Sequence, residues 1–384
     1  MLIELISGSA ALLSLPATLA LAHCTWGARQ KPAIKADAPM AQGSICLLVP
    51  AHNEQETLPY TLPALQQACA ADGNVALVVI ADNCTDQTAS LARDFGAMVY
   101  ERHEPGRRGK GAALADAFAR FDGFDWYLIV DADSRLDPGF LCCLRRALQP
   151  GVAALQTRYL PLPQNDRWAS LRLLALTSFN VLRLRGRAAQ GESAGILGNG
   201  FVLARSTLQR VPFSANSVVE DLEYHLALLA AGLKVDWLER ATVRGEMPTG
   251  EGAKVQRARW EGGRLAMWRQ HVPRLLIAAL RGQPGAWAGL AELCLFPLSM
   301  QLGLLLLGLL AAGWSAIVAG AGLAVLFWHG LLVLAELPQA SRLRALGSIP
   351  AYLWWKLQQL PAILAHSRRN TPWQRSPRNA KGGV

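Results

Sequence analysis

Apolar positions along the chain fall into two kinds of pattern. Three segments are apolar almost without interruption: Leu2 to about Ala22, about Trp287 to Leu310, and about Ser315 to Ala335. Each is long enough to cross a bilayer core, which takes about 20 residues. The short gap around Gly313 and Trp314 makes the second and third a tight hairpin. The first segment carries Glu4 and lacks a basic start, which argues against a secretory signal peptide and for a membrane helix.

Between Gly43 and about Gly263 the pattern changes to short apolar runs alternating with helical periodicity. Ile45 to Pro50, Ala76 to Ala81 and Tyr127 to Val130 have strand length. Helical patterns cover Gln55 to Ala71, Thr88 to Phe95, Gly111 to Phe121 and Pro138 to Leu148. Asp137-Pro138 predicts a helix start, with Asp as the cap and Pro at the first helical position. Alternating strands and helices predict an α/β domain with a mostly parallel sheet. Trp168 to Leu184, Arg264 to Leu280 and Ile349 to Ala365 mix cations with apolar residues and read as interfacial helices. The predicted division is 1–42, a membrane helix and linker; 43–283, a cytoplasmic domain ending in an interfacial helix; and 284–384, a hairpin, an interfacial helix and a basic tail.

Composition sharpens this picture. Hydrophobic residues make up 52% of the 384 residues and charged residues 17%. The charged share lies below the quarter usual for soluble domains, which excludes a purely soluble protein and general disorder. Lys plus Arg is 38 against 28 Asp plus Glu, a net charge of +10. No basic stripe interleaves with aromatics, so the excess points to an anionic membrane face and not to nucleic acid. Arg29, Lys31 and Lys35, then Arg264, Arg269, Arg274 and Arg281, then Arg342, Arg344 and the tail residues Arg368, Arg369, Arg375, Arg378 and Lys381 flank the apolar segments. The positive-inside rule puts all these flanks, and the central domain, in the cytoplasm. Seven cysteines form no C-x-x-C pair, so neither a zinc site nor a disulfide framework is expected.

Polar residues collect after the three apolar runs. Ala51-His52-Asn53-Glu54 follows the first, Asp82-Asn83-Cys84-Thr85-Asp86 the second, and Asp131-Ala132-Asp133-Ser134 the third. Ligands of such sheets sit beyond the carboxyl ends of the strands. In an extended segment Asp131 and Asp133 point the same way, and their carboxylates repel unless a cation lies between them. Hard oxygen donors suit Mg2+ or Mn2+, which in turn bind phosphate oxygens. A lone D-x-D is usually a turn; its place directly after a strand argues for more. Arg107-Arg108-Gly109-Lys110-Gly111 combines glycines with cations that suit phosphates, against the plain alternative of a solvated basic loop. Leu197-Gly198-Asn199-Gly200-Phe201 predicts a tight turn with exposed backbone. Glu220-Asp221 opens a helix and is either a dipole partner or a general base. Gln256-Arg257-Ala258-Arg259-Trp260 offers a planar cation and an aromatic face. Asp86 reads as a helix cap, His52 as a pocket residue, and Glu292 as an acid close to the interface.

This ordered set, V-P-A-H-N-E, A-D-N-C-T-D, G-K-G, D-A-D, G-N-G, E-D and Q-R-A-R-W, resembles the family 2 glycosyltransferases. Within them it resembles the membrane-bound branch of cellulose synthase, hyaluronan synthase and ceramide glucosyltransferase. The resemblance spans roughly Ser44 to Trp260. It implies a GT-A-type nucleotide-sugar-binding domain and an inverting transfer to a lipid, lipid-linked or polysaccharide acceptor at the cytoplasmic (inner) membrane. It implies a nucleotide pocket at Pro50, Ala51, Asn53, Glu54, Asp82, Lys110, Asp131, Ala132 and Asp133, with Asp133 and Asp131 holding Mg2+ or Mn2+. It implies Asp221 as catalytic base assisted by Glu220, and acceptor or diphosphate contacts at Gly198, Asn199, Gln256, Arg259 and Trp260. A uridine diphosphate sugar is the expected donor, guanosine the runner-up, and export or assembly proteins are expected partners. Three crossings are few for a closed polysaccharide channel, and Q-x-x-R-W also occurs in members that make no polymer, so processivity stays open. Competing readings are a nucleotidyltransferase, a catalytically silent scaffold of a polysaccharide-assembly complex, and a transporter. The late Q-x-x-R-W argues against the first, the intact Asp133, Asp221 and Arg259 against the second, and the small membrane portion against the third.

Overall fold

The computed structural model describes residues 1–30, 39–215 and 217–367. Lys31, Lys35 and the tail residues Arg368, Arg369, Arg375, Arg378 and Lys381 lie outside them. In chain order the elements are α1 (Leu2–Ala28), β1 (Ile45–Ala51), α2 (Leu58–Asp72), β2 (Val75–Asp82), α3 (Thr88–Asp94), β3 (Met98–Arg102), α4 (Lys110–Arg120) and β4 (Trp126–Ile129). There follow β5 (Ser134–Leu136), α5 (Phe140–Ala147), β6 (Ala154–Pro161), α6 (Ala169–Thr177), a π-helical turn (Ser178–Leu182), α7 (Arg183–Ala189), β7 (Phe201–Ala204), α8 (Arg205–Arg210), α9 (Glu220–Ala230) and β8 (Val235–Gly245). The chain continues as α10 (Gly250–Leu280), α11 (Ala286–Cys294), α12 (Leu298–Gly308), α13 (Trp314–Glu336) and α14 (Gln339–His366). These sort into two compact units. Among the described residues a sheet unit draws on 39–162 and 193–256, and a helical unit on 1–30, 163–192 and 257–367.

The sheet has the order β3-β2-β1-β4-β7-β6-β8-β5. β3, β2, β1 and β4 are parallel neighbours. β7 runs antiparallel to β4 and β6, and β5 antiparallel to β8, so the sheet is mixed beyond β4. β1 is buried on both faces because alternate residues enter different cores. Ile45, Leu47 and Val49 pack with Leu58, Leu62 and Leu65 of α2 and with Phe140 and Leu144 of α5. Cys46 and Leu48 pack with Ala113, Leu114 and Ala117 of α4 and with Tyr224 and Leu228 of α9. Each such Leu removed from water contributes roughly 1.5 to 3 kcal/mol.

Gly73 ends α2 in the left-handed region (φ 74°), where a glycine lets the last carbonyls pair. The start predicted at Asp137-Pro138 is displaced. α5 is capped by Gly139, because Asp137 is drawn to Arg244 of β8 (2.7 and 3.0 Å) and cannot serve the helix.

In the helical unit, α1 packs closely through small residues, the means by which helices approach without a large apolar driving force. A Cβ on Gly186 would sit 1.8 Å from the Cys24 carbonyl, and one on Gly27 2.1 Å from that of Gly186. Ser7 donates to the carbonyls of Leu307 (3.0 Å) and Gly308 (2.8 Å). α1 and α13 are long and apolar enough to cross a membrane. The segment read as one crossing from Trp287 to Leu310 is broken: α11 and α12 meet at 78°. Pro297 lacks an N–H and cannot continue α11, so Leu295, Phe296 and Pro297 form the bend. Glu292, read as close to the interface, is buried and ion-paired with Arg187 and Arg264.

Candidate active site

Parallel pairing of β1, β2 and β4 brings their carboxyl ends to one edge, and the polar loops gather there. Asn53 and Asn83, just past β1 and β2, have φ of 54° and 51°. Asn tolerates this left-handed conformation better than other residues with a Cβ. The two loops are tied together. The Thr85 amide donates to Asn53 Oδ1 (2.8 Å), His52 Nδ1 to the Asp82 carbonyl (2.7 Å), and the Glu54 amide to the Thr88 hydroxyl (2.7 Å). Thr88 in turn donates from its amide (3.0 Å) and hydroxyl (2.5 Å) to Asp86, which lies one residue before Gln87, the residue that caps α3 in place of Asp86.

Asp82 closes β2 and is buried. Its Oδ1 accepts from Arg102 (2.7 Å) and Asn83 (2.7 Å), while Oδ2 faces the amide of Gly109 (3.4 Å). Arg102 also donates from Nε to Asp116 of α4 (2.7 Å). Sequence reasoning missed Arg102. The signal lies in the register of β3, which pairs Arg102 with Asp82, but the mixed run Met-Val-Tyr-Glu-Arg does not announce a strand.

Lys110 is the hub of the site. Its Nζ donates to Asp131 and to the Gly198 carbonyl (2.5 Å). Gly198 has φ 76°, and a Cβ there would lie 3.3 Å from Asp221 Oδ2. Asp131, Lys110, Gly198 and Asp221 therefore converge, although 110 residues separate Lys110 from Glu220. A Cβ on Gly111 would lie 3.3 Å from Glu220 Cβ and 2.2 Å from the Ala215 carbonyl, so α4 and the start of α9 touch closely. Burial opposes the charge on Lys110, but Asp131, Glu220 and Asp221 outweigh it and raise its pKa. Burial and the Asp221 carboxylate push Glu220 up to about 7, against the opposing pull of Lys110.

The D-x-D and the Gly-Asn-Gly turn are joined as well. The Asp131 amide donates to Asn199 Oδ1 (3.1 Å), and Asn199 Nδ2 to Ser134 (2.8 Å). Ser134 donates to Asp133 (3.1 Å). Gln156, fully buried on β6, spans the turn: it accepts from the Leu197 amide (2.8 Å) and donates to the Asn199 carbonyl (2.8 Å). Nothing in the sequence marked Gln156, since a buried amide reads like any polar residue. Ala132 is buried, and its carbonyl accepts from Thr61 of α2 (2.7 Å). Pro50 and Ala51 end β1 beneath these loops. Gln256, Arg259 and Trp260 follow the i, i+3, i+4 spacing on α10 and so share one helix face.

Among the described residues no three His, Cys, Asp or Glu side chains gather as a metal cluster. Magnesium-type ions are held by one or two carboxylates completed by substrate phosphates. Asp131 and Asp133 have the chemistry for an ion that arrives with a diphosphate, although they lie in a turn closed by the Ser134 amide on the Asp131 carbonyl (3.0 Å) and not in the extended segment expected, and Lys110 pairs with Asp131.

The model of the glycosyl transferase family group 2 matches residues 126–336, just over half of the chain. The chain is 24% identical over 235 residues to the probable glycosyltransferase YdaM of Bacillus subtilis, covering 57% of this chain and 54% of that protein. It is 31% identical over 94 residues to RfbJ of Shigella flexneri, covering 24% of this chain and 67% of that one. The chain thus spans about half the length of the first of these relatives. Among solved structures it resembles the mannosyltransferase PcManGT of Pyrobaculum calidifontis, in complex with GDP-Man and Mn2+. The TM-score is 0.61 and the identity 17%, over 96% of this chain and all of that one. That likeness makes the fold GT-A-like, a mixed α/β sheet with helices on both faces. The protein belongs to glycosyl transferase family group 2.

Proposed function

We propose that the chain transfers a sugar, with inversion, from a uridine diphosphate sugar to a lipid, lipid-linked or polysaccharide acceptor at the cytoplasmic face of a membrane. The observation that carries this reading is the convergence of Asp131, Lys110, Gly198 and Asp221 at the ends of the parallel strands. The nucleotide lies over Pro50 to Glu54, with Asp82 toward the base. Asp133 and Asp131 would hold a divalent ion, which when bound neutralises charge on the departing diphosphate. Asp221 takes the proton of the acceptor hydroxyl. The hydroxyl oxygen then bonds to the anomeric carbon as the bond to the diphosphate breaks, and one displacement inverts the centre. Lys110 holds Asp131 and the Gly198 turn in place and offsets the carboxylates around it. The resemblance assigns diphosphate and acceptor contacts to Gln256, Arg259 and Trp260.

α1, α13 and the bent pair α11–α12 support the membrane setting, as does the resemblance to the membrane-bound branch. The test is nucleoside diphosphate release by the full chain in lipid, over a panel of uridine and guanosine donors with Mn2+ or Mg2+. Release from one donor should fall about 100-fold or more in Asp221→Asn, the size expected for a lost general base, with donor KM little changed. Equal release by the variant would remove Asp221 from the chemistry.

A further inference from the structure

Glycosyl transfer needs the site in the sheet unit, yet the helical unit holds a second concentration of charge. Arg183 and Arg187 lie one turn apart on α7 and are buried, at 2% and 4% exposure. Arg187 donates to Glu292 Oε2 on α11. Arg264 of α10 donates to the Glu292 carbonyl (2.8 Å) and to Oε1 (3.2 Å). Arg183 and Arg264 both lie over the Phe179 ring, 5.0 and 5.2 Å from its centre. Two guanidiniums thus hold one carboxylate, and the third shares the Phe179 ring with Arg264. Glu192, the other acid near Arg187, is half-buried and bonded to His23 (2.9 Å).

Arg183 is the least satisfied of the three. Its Nη2 donates to the Phe296 carbonyl (3.0 Å), but Nε and Nη1 are buried without an acceptor. Buried donors left unpaired are rare and costly, and an unpaired buried charge more so. The one acceptor it does have belongs to the bend between α11 and α12, where the membrane-type helix is interrupted. Unwound backbone at such depth is tolerated where it is buried in protein or lines a site, and ionisable groups there are commonly functional. Guanidiniums with free donors and a surplus of positive charge match the several acceptor oxygens of a phosphate.

We propose that Arg183, Arg187 and Arg264, at the α11–α12 bend, form a binding site for a phosphate or diphosphate ester carried on an apolar chain. The phosphate oxygens take the Nε and Nη1 donors of Arg183 and share Arg187 and Arg264 with Glu292. The apolar chain is committed to because the elements around the site expose Leu306, Leu307 and Trp287. That this lipid is also the sugar acceptor rests on the proposed function; the binding does not, and it is measured without any sugar nucleotide.

The test is native mass spectrometry of the full chain in detergent with dodecyl phosphate, inorganic phosphate and dodecanol. The wild type should retain dodecyl phosphate well above the other two. Arg183→Gln, which keeps a donor for Phe296 but removes the charge, should bind it about tenfold more weakly. Glu292→Gln removes the competing carboxylate and should bind it at least as tightly as the wild type. In the wild type a photoreactive alkyl phosphate should label the peptides carrying Arg183 to Arg187 and Glu292 to Phe296. This arm holds even if a variant fails to fold. Labelling confined to other peptides, or equal retention by Arg183→Gln, overturns the site. Equal retention of inorganic phosphate overturns the lipid assignment.

Discussion

In the sheet unit the fully buried side chains are mostly Ile, Leu and Val of β1, β2 and β4, and its charged groups gather at strand ends. The helical unit is arranged the other way round. It buries Arg183, Arg185, Arg187, Glu292, Lys356 and His329, and it turns Leu12, Leu13, Ile317, Phe327 and Trp354 outward. In water the second arrangement would be unfavourable, since soluble domains rarely expose large apolar patches that are not functional. Against a hydrocarbon solvent it is the expected one: polar groups must be satisfied inside, and Leu on the outside costs nothing. His329 illustrates the rule. Both ring nitrogens are engaged, Nδ1 with Thr25 (2.9 Å) and Nε2 with Ser178 (2.9 Å). Thr25 already donates to the Leu21 carbonyl (2.6 Å), so Nδ1 carries the proton and Nε2 accepts from Ser178. His329 is thus satisfied inside the helical unit, whereas Arg183 is not.

The sheet unit breaks its own rule at Arg102, and removing that residue is the strongest probe of the comparison. Arg102→Met leaves Asp82 and Asp116 without their shared cation. Breaking a buried pair in this way costs about 3 to 5 kcal/mol. Urea unfolding followed by the fluorescence of Trp126 and Trp237, both in the sheet unit, should show the loss. If the midpoint is unchanged, the pair is not what holds the end of β2.

Glu220 gives a smaller and pH-dependent effect. Its pKa of about 7 lies above the ordinary carboxyl value, so the folded state binds this proton more tightly than the unfolded state. The favourable contribution is complete below the ordinary value and is lost as pH rises through about 7. Stability should therefore fall over that window in the wild type and stay flat in Glu220→Gln. Activity should run the opposite way if the carboxylate form assists Asp221. One pH unit below its pKa roughly a tenth of a group is ionised, so kcat/KM should drop about tenfold between pH 8 and 6. A wild-type rate profile flat through pH 7, or the same acid limb in Glu220→Gln, would separate Glu220 from the chemistry.

How much of this was legible in the sequence follows the same division. β1, β2 and β4 could be read within a residue or two, because burial on both faces demands a continuous apolar run. β6 and β8 could not. Each mixes Gln, Arg, Asp or Glu into a strand whose polar groups serve the site, and buried Gln156 holds the Gly198 turn through hydrogen bonds. Asp131, Asp133, Glu220 and Asp221 could be singled out as candidates because acids at strand and helix ends stand out. Their link through Lys110 was hidden, since the partners are 21 and 88 residues from it. In the helical unit, hydropathy gave the apolar lengths but not the break at Pro297. A window average cannot register a single missing N–H.

The smallest effect tests the outward face itself. Ile317 on α13 is 74% exposed, whereas Leu47 on β1 is fully buried. In detergent micelles Ile317→Ala should shift thermal stability by no more than about 0.5 kcal/mol, the usual size for a position without packing partners. Leu47→Ala should cost about 2 to 5 kcal/mol, because it leaves a cavity against α2 and α5. The two substitutions remove similar apolar volume, so their difference measures only what surrounds each site. If Ile317→Ala proved as damaging as Leu47→Ala, the outer face of α13 would be a packed protein interface and not a surface for lipid. That result would leave the sheet unit's reading intact while assigning the apolar exterior to a partner chain.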